Sequence, residues 1–266
     1  MIELEDIKIL NPGERLKLLR KELKVKQEEL AGEKFSKNYI SMFENNKRNI
    51  NAINASYLAK KINEIATQSG KNINVTASYL LKNEEDMAKD KCKKWLFETE
   101  SNLELSDYDC ELNLYKIILV SSKYDLLHFK GRSLYLKGIN SFNNQRFICA
   151  VTQFLDSIIY FAMENDFYSV KEVYKNIGIT LFRHGNIEQS IVFFNLCESI
   201  LKKGILKGIQ SDIELTYYKA LCYFKSGQNR IASKIIEDSS ESSQVLKDLY
   251  DEINFINDET IKKPKI

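Results

Sequence analysis

The sequence predicts an all-α protein in which a small helical bundle at the amino terminus precedes a stack of helical pairs. Three observations support this fold class. Apolar residues recur at helical spacing through most of the 266 residues. Proline, which interrupts helices, occurs only at Pro12 and Pro264. A pattern of small and large residues repeats in the second half of the chain, which is typical of stacked helical pairs.

Composition indicates a soluble globular protein. Charged residues make up 29% of the chain and hydrophobic residues 44%, which is an ordinary balance. No run of about 18 apolar residues is present, so we expect no membrane-spanning helix. The start, MIELEDIKIL, lacks the features of a secretory signal, and we therefore expect a cytoplasmic protein. The 5 scattered cysteines predict buried thiols.

No motif predicts catalysis, and we expect no catalytic residue, no metal ion and no cofactor. The chain has 2 histidines and no cysteine–histidine cluster with metal-ligand spacing. It also lacks a glycine-rich phosphate-binding loop and a serine, histidine and aspartate arranged in the sequence as in a catalytic triad. His184, beside Gly185, is interpreted as part of a helix end, where a partial positive charge is favourable. The sequence thus favours a binding protein over an enzyme.

The amino-terminal segment is more basic than the rest of the chain. Between Gly13 and Lys61 there are twelve lysines and arginines against six acidic residues, whereas the whole chain has a net charge of +2. A basic head on an acidic body is typical of a protein whose head binds a polyanion.

Asn11, Pro12 and Glu14 predict the start of the first helix of this head. Asparagine is a favourable helix cap, proline suits the first helical position, and a glutamate three residues after the cap bonds back to it. A second short helix is predicted from Gln27, and a fourth around Leu58. The head is therefore a bundle of four or five short helices.

The stretch FSKNYISMFENNKR, residues 35–48, predicts a third helix with a polar outer face. Ser36 is a suitable cap, Ile40 and Phe43 form the buried side, and Asn45 ends the helix. The other side chains are mostly hydrogen-bonding groups, which the base edges of a DNA major groove require. The first turn of such a helix contacts the bases, and basic residues that follow the helix can bind the phosphates.

The same segment carries a family resemblance. The sequence QEELAGEKFSKNYISMFENNKR resembles the XRE-type helix-turn-helix, and the matching residues are Gln27, Leu30, Ala31, Ser36, Ile40, Ser41, Glu44 and Asn45. The short turn before the third helix, with YIS and ENNK, resembles the RRNPP branch of peptide-pheromone regulators. The resemblance implies a partly buried, structural pair between Arg20 and Glu44. It also places Asn46 where the family usually has glycine.

The predicted partner of the head is double-stranded DNA. The predicted DNA-binding residues are Gln27, Ser36, Lys37, Asn38, Tyr39, Ser41, Asn45, Lys47 and Arg48. For Tyr39 two interpretations stay open, contact with a base or packing against the second helix. The predicted domains are the helix-turn-helix at 1–66, a linker with a short helix at 67–83, and a repeat domain at 84–266.

Three segments of the second half carry small residues at corresponding positions. The two series are Gly138, Gly178 and Ala220, and Ala150, Ser190 and Ala232, with spacings of 40 and then 42 residues in both. Large apolar residues follow the second series at Phe154, Phe194 and Ile236. Small residues let two helices approach, and neighbouring pairs must stack to bury their faces. The pattern resembles the tetratricopeptide repeat, which implies a right-handed α-solenoid, although Gln145 replaces a turn glycine.

In repeats of this type the first helix of each pair lines the concave side. That face supplies aromatic rings, an amide and cations, which suit a short peptide. The predicted peptide-binding residues are Arg132, Tyr135, Lys175, Asn176, Ile179, Arg183, Tyr217 and Tyr218. The RRNPP resemblance implies that this ligand is a short signalling peptide.

Together these features predict a DNA-binding transcriptional regulator controlled by a peptide. We expect a homodimer that places two third helices in successive major grooves of a two-fold symmetric site. The alternative is an interaction adaptor, in which the repeats bind a partner protein and the helix-turn-helix is not used for specific DNA binding.

Overall fold

The structure is a computed structural model, and it describes residues 7–101, 108–202, 212–239 and 243–262. Every regular element within these ranges is an α-helix, which confirms the all-α prediction. The chain divides into two compact units. One unit is Met1–Phe97 with Leu119–Tyr124, and the other is Glu98–Ile118 with Asp125–Ile266.

Seven helices make up the first half of the described chain. They are α1 (Pro12–Leu23), α2 (Gln27–Ala31), α3 (Lys37–Glu44), α4 (Ala52–Gln68), α5 (Ala77–Leu81), α6 (Glu84–Ser101) and α7 (Tyr108–Lys123). The predicted capping box is present at α1, because Asn11 Oδ1 accepts from the Glu14 amide at 2.8 Å and Glu14 Oε2 accepts from the Asn11 amide at 3.1 Å.

The first four helices and α5 share one apolar core. Its completely buried members include Leu16, Leu30, Ile40, Phe43 and Leu58, which come from four different helices. Burying each such side chain contributes about 1.5–3 kcal/mol, so these contacts hold short helices that would not be stable alone.

The predicted short helix of the linker is α5, capped by the Thr76 hydroxyl, which accepts from the Tyr79 amide at 3.2 Å. Val75 and Leu80 are buried in the core of the first bundle. The linker sequence groups Leu81 with these apolar residues, but Leu81 is 40% exposed.

Seven further helices form the repeat region. They are α8 (Leu127–Asn143), α9 (Phe147–Met163), α10 (Phe167–Arg183), α11 (Ile187–Lys202), α12 (Ile213–Lys225), α13 (Asn229–Glu237) and α14 (Gln244–Lys262). Each helix packs against the next one in the chain, and α10 also contacts α12. This order of contacts is that of stacked helical pairs, as the repeat predicted.

The small residues of the repeat lie where two helices approach closely. A Cβ atom on Gly138 would stand 2.5 Å from a ring carbon of Phe154, and one on Gly178 would come still closer to the ring of Phe194. Both phenylalanines are fully buried. The ring of each second helix therefore occupies the space that the missing side chain leaves.

The turns between paired helices share one conformation. In each three-residue turn the middle residue is left-handed, with φ of 58° at Gln145, 57° at Asn165, 89° at Gly185 and 74° at Gly227. Gln145 thus adopts the backbone of the glycine that it replaces, at a cost of about 1–2 kcal/mol for a residue with a Cβ atom.

Two sequence predictions fail in detail. The spacing of Val245, Leu249, Ile253 and Ile256 predicts one apolar face on the last helix. In α14, however, Val245 is 55% exposed, and Leu246 is buried in its place with Leu249 and Ile253. The predicted apolar residue Ile256 lies outside the described side chains. Among the cysteines, Cys149 is exposed on α9 and Cys110 is half-buried, whereas Cys92, Cys197 and Cys222 are buried thiols. None of the described helices combines the length and the apolar character that crossing a bilayer requires.

Candidate nucleic-acid interface and repeat-domain face

Helix α3 buries one side and presents the other to solvent. Ser36 caps it by accepting a hydrogen bond from the Tyr39 amide at 3.3 Å. Ile40 and Phe43 have no exposed surface, and Lys37 and Asn38 in the first turn are exposed. The helix thus has the polar outer face that the sequence predicts.

The end of α3 is fastened to the start of α1. Asn46 is left-handed, with φ of 52°, and its Oδ1 accepts from the Gly13 amide at 3.1 Å. Its Nδ2 donates to Asn11 Oδ1 at 2.6 Å. Asparagine tolerates this backbone better than most residues, and here its side chain supplies two bonds that glycine would lack. That accounts for asparagine at the usual glycine position.

The implied Arg20–Glu44 pair is present and buried. Arg20 donates through Nε to Glu44 Oε1 at 2.5 Å and through Nη2 to Oε2 at 3.0 Å. The Glu44 side chain is 1% exposed. The hydrogen bond that Arg20 donates to Glu44 raises the pKa of Arg20, against the opposing effect of burial. This bidentate pair joins α1 to α3 and fixes the orientation of α3 relative to α1.

Several predicted DNA-binding residues lie together at the surface. Ser36, Lys37, Asn38, Asn45, Lys47 and Arg48 are all exposed. Lys37 pairs with Glu28 of α2 at 3.1 Å. Asn45 donates to the Ser41 carbonyl at 2.8 Å, so both residues take part in ending the helix.

Two predicted residues have internal contacts. Gln27 Nε2 donates to Glu44 Oε2 at 2.8 Å, so its amide group completes the buried pair. Tyr39 is half-buried, stacks on Phe35 with ring centroids 5.4 Å apart, and lies 4.3 Å from the Arg48 guanidinium carbon. These contacts show that Tyr39 packs against the turn before α3. Its ring in turn holds Arg48 in place.

One exposed residue of α3 is absent from the sequence-based set. Met42 is 37% exposed, and it follows Asn38 by four residues, which places both on one face of the helix. Met42 thus adds an exposed apolar side chain to a face that is otherwise polar. The four-residue spacing was the available signal.

The predicted peptide face contains a buried cluster of charges between α10 and α12. Lys175 Nζ lies 3.0 Å from Asp212, 3.1 Å from Glu172 and 3.1 Å from Glu214. Lys171 Nζ lies 2.8 Å from both Asp212 and Glu172. Lys175 was predicted to hold a ligand carboxylate, but the protein's own carboxylates already surround it.

Opposing effects set the pKa values in this cluster. Burial alone would lower the pKa of Lys171 and of Lys175, but the hydrogen bonds and charge of Asp212 outweigh it and raise both. Burial would likewise raise the pKa of Asp212, and the hydrogen bonds from the two lysines hold it below its ordinary value. All three groups are therefore ionised at neutral pH.

Three predicted residues of this face contact one another, two through a hydrogen bond and the third through an aromatic ring. Asn176 Nδ2 donates to the Tyr135 hydroxyl at 3.0 Å and to the Glu172 carbonyl at 2.9 Å. Arg132 donates to Glu100 at 2.8 Å, and its guanidinium carbon lies 5.2 Å from the Tyr135 ring. Burial, followed by the charge of Glu172, raises the pKa of Tyr135, so its hydroxyl stays protonated.

The remaining predicted peptide residues differ in accessibility. Ile179 is 6% exposed and packs in the core with Phe194, so its placement on the open face was wrong. Tyr217 and Tyr218 are half-buried and contact each other, with ring centroids 5.4 Å apart. Arg183, at the end of α10, is exposed.

The described residues contain no group of three or more histidine, cysteine, aspartate or glutamate side chains arranged to hold a metal ion. His184 ends α10, as predicted, and its ring lies 5.7 Å from that of Phe147. Neither observation indicates catalytic chemistry in this part of the chain.

Comparison with known proteins bears on the first bundle. Residues 13–85 match the family model described as a helix-turn-helix domain. No curated protein matches the chain. A crystal structure of Bacillus thuringiensis PlcR in complex with the peptide PapR7 and DNA aligns with 95% of this chain and 99% of that one, at 13% identity and a TM-score of 0.35. Residues 13–85 are thus similar to helix-turn-helix domains.

Proposed function

We propose that this protein is a sequence-specific DNA-binding transcriptional regulator that inserts α3 into the major groove. The observation that carries the proposal is the two-sided character of α3. Its back is fixed by Ile40, Phe43 and the buried Glu44, whereas Lys37 and Asn38 stand free of the core at its first turn. A fixed helix with an exposed polar face is what major-groove recognition requires.

Each exposed residue has a role that follows from its chemistry. The amide of Asn38 pairs with the N6 and N7 positions of adenine, and Met42 suits a thymine methyl group. Lys47 and Arg48 follow α3 and bind phosphates, which position the helix without reading sequence. Stacking of Arg48 on Tyr39 limits its motion before DNA is bound.

The salt dependence of DNA affinity tests this proposal. With about six phosphate contacts, log Kd should change with log salt concentration at a slope of roughly 5 in magnitude, and Lys47→Ala should reduce that slope by about one unit. Asn38→Ala should leave the slope unchanged and reduce the preference for one sequence over another. Lys247→Ala, in α14, is the matched control. A slope near zero would favour the interaction adaptor.

We further propose that the repeat region binds a short signalling peptide on the face formed by α8, α10 and α12. The supporting contacts are the joined side chains of Arg132, Tyr135 and Asn176 beside the acidic Glu172 and Glu214. This face offers hydroxyl, amide and carboxylate groups at once. Because the lysines there are already paired with carboxylates, it suits the amino group or a basic side chain of a peptide better than an acidic one.

Native mass spectrometry tests the peptide proposal directly. The purified protein is incubated with the small-peptide fraction of spent medium from its source, and we expect one bound species of peptide mass. Tyr135→Phe and Asn176→Ala should weaken that complex, whereas Asn254→Ala on α14 should not. Retention of the same peptide by both variants would place its site elsewhere.

The proposed regulator acts as a homodimer on a two-fold symmetric site, with 1–66, 67–83 and 84–266 as its domains. Two copies of α3 would then read half-sites about 34 Å apart. Light scattering in solution tests the dimer, which should show twice the 30.9 kDa mass of the chain. A monomer at micromolar concentration would contradict it.

A further inference from the structure

Helix α9 of the repeat region carries almost no charge. Among its 17 residues, from Phe147 to Met163, Asp156 is the only charged one. A helix at a protein surface normally has a polar or charged face toward water, and a helix that is apolar on all sides is normally buried. The outer face of α9 therefore lacks the polar side chains that a helix exposed on a monomer usually has.

Both sides of α9 carry large apolar side chains. The inner side fills the core of the repeat region with Ala150, Phe154 and Phe161. The outer side carries four exposed residues that we call the α9 stripe, and 72%, 43%, 60% and 61% of their respective surfaces are accessible at Ile148, Leu155, Ile159 and Met163. Their spacing of seven, four and four residues places them along one face of the helix.

The other two repeats show that the fold does not require this stripe. The residues that correspond to Ile148 and Leu155, by the spacings of 40 and 42 residues, are all polar or charged and all exposed, and they are Glu188, Arg230, Asn195 and Glu237. Packing of the repeats is thus compatible with polar side chains at these positions. An apolar stripe in one repeat alone indicates a partner that covers it.

Helix α11 extends the apolar surface. Val192 is 55% exposed and Leu196 is 39% exposed. By the spacing of 40 residues they correspond to Thr152 and Asp156, so they lie on the same side of the stack as the α9 stripe. With them the exposed apolar side chains present roughly 600 Å², which is most of the about 800 Å² that each subunit buries in a standard stable interface.

The two ends of α9 carry opposite charges. Arg146 precedes the helix, and its side chain is 53% exposed and lies 3.4 Å from Glu111. Glu164 follows the helix, and it lies 3.5 Å from His128. Exposed pairs of this kind contribute little, so both charges can take part in a second ion pair. Two antiparallel copies of α9 would place the basic start of one beside the acidic end of the other, with opposed helix dipoles.

We propose that two copies of the chain associate through the α9 stripe, with α9 antiparallel to its copy about a two-fold axis near Leu155. The inference rests on the homodimer of the proposed function and assigns its interface. A two-fold interface joins a surface patch to itself. In this register Ile148 faces Met163 of the partner subunit, and Arg146 faces Glu164 of the partner subunit. The stripe is therefore self-complementary in apolar surface and in charge.

Sedimentation equilibrium of the full-length protein tests the interface. Wild type should have twice the 30.9 kDa mass of the chain. The double variant Leu155→Lys and Ile159→Lys should raise the Kd of the dimer at least about a hundredfold, because it places four unpaired positive charges in a dry contact. Ile231→Lys is the matched control, since it changes a 45% exposed apolar residue of another repeat and should leave the dimer intact. Circular dichroism verifies that each variant is folded.

Charge reversal tests the antiparallel orientation. Arg146→Glu should weaken the dimer roughly tenfold, because it brings two negative charges together at each end of the contact. Glu164→Arg should weaken it similarly by bringing two positive charges together. The double variant that carries both changes should recover the wild-type Kd. If the double variant is as weak as either single one, the antiparallel orientation is wrong.

Methionine methyl NMR of the wild type provides a test that needs no destabilising variant. In a single chain Met163 is 61% exposed and Met42 is 37% exposed, so a soluble gadolinium chelate should broaden Met163 more. In the proposed dimer Met163 is covered, and we expect the chelate to broaden Met42 more. Met163→Leu assigns the signal.

The outcomes separate this interface from the homodimer itself. A dimeric wild type that loses its partner in the double lysine variant and protects Met163 supports the α9 interface. A double lysine variant that stays dimeric, or a dimeric wild type in which Met163 broadens more than Met42, overturns the interface and leaves the homodimer standing. A monomeric wild type overturns both.

Discussion

At the scale of single residues, Glu44 joins three helices of the first bundle. Its carboxylate accepts hydrogen bonds from Arg20 of α1 and from Gln27 of α2, and it belongs to α3 itself. Because the carboxylate is nearly inaccessible to water, the hydrogen bonds from these partners offset the cost of burying its charge.

Glu44→Ala should lower the free energy of unfolding by about 3 kcal/mol, since it leaves the mostly buried charge of Arg20 without its partner. Urea denaturation followed by circular dichroism measures the change. Glu28→Ala removes an exposed carboxylate that pairs with Lys37, and it should alter stability by less than about 0.5 kcal/mol. Equal losses of stability in the two variants would contradict the role of Glu44 in joining the three helices.

The sequence allowed some single-residue contacts to be predicted and not others. The pair of Arg20 and Glu44 was expected because both stand at positions of a recognised motif. Arg15 lies five residues before Arg20 on the same helix, and no pattern marked its burial. Its carbonyl partners on Tyr79, Leu80 and Lys82 follow 64 or more residues later, so their position depends on how α5 packs.

At the scale of elements, the turns between paired helices impose one backbone conformation on different residues. Gln145→Gly should raise the free energy of unfolding by about 1 kcal/mol, because it relieves a left-handed backbone with φ of 58°. Gly185→Ala should lower it by a similar amount, and no atom within 4 Å would crowd the added Cβ. Chemical denaturation of both variants measures these effects. If both variants change the free energy of unfolding in the same direction, the two turns do not impose the same left-handed backbone.

The ion cluster between α10 and α12 predicts a pH dependence. Because the folded-state pKa of Asp212 lies below its ordinary value of 3.8, its contribution is complete at neutral pH and is lost as the pH falls below about 4. Asp212→Asn should cost roughly 3 kcal/mol at pH 7, as for other broken buried pairs. The difference between wild type and variant, from urea unfolding, should shrink at pH 3. If the difference in free energy of unfolding between wild type and variant is the same at pH 3 and at pH 7, the charge of Asp212 does not stabilise the fold.

The elements themselves were largely readable from sequence. Helical periodicity and caps predicted α1 to α5, and the 40-residue and 42-residue spacings predicted the later pairs. The exposed face of α10 was not readable, because this helix packs on several neighbours at once. Repeat spacing placed Ile179 and Lys175 on an open side, whereas the structure buries one in a core and surrounds the other with carboxylates. The contact of Lys175 with Asp212, for example, joins residues that are 37 positions apart.

At the scale of the whole molecule, we propose that the helix-turn-helix recognises DNA and that the repeat region recognises a ligand. Coupling between them requires that a peptide bind one conformation of the dimer more tightly than another. The peptide should then change DNA affinity, and DNA should change peptide affinity by the same factor. Titration calorimetry in both orders measures the two factors, and unequal values would exclude a simple two-site coupling.

Selection of sheared genomic DNA on the purified protein, followed by sequencing, tests the central claim most directly. It is run with wild type and with Asn38→Ala, each with and without the small-peptide fraction of spent medium. We predict that wild type enriches a few two-fold symmetric sites, that Asn38→Ala loses this preference, and that the peptide fraction changes the enrichment. If wild type enriches no site, or if Asn38→Ala enriches the same sites equally, α3 does not read DNA and the claim is wrong.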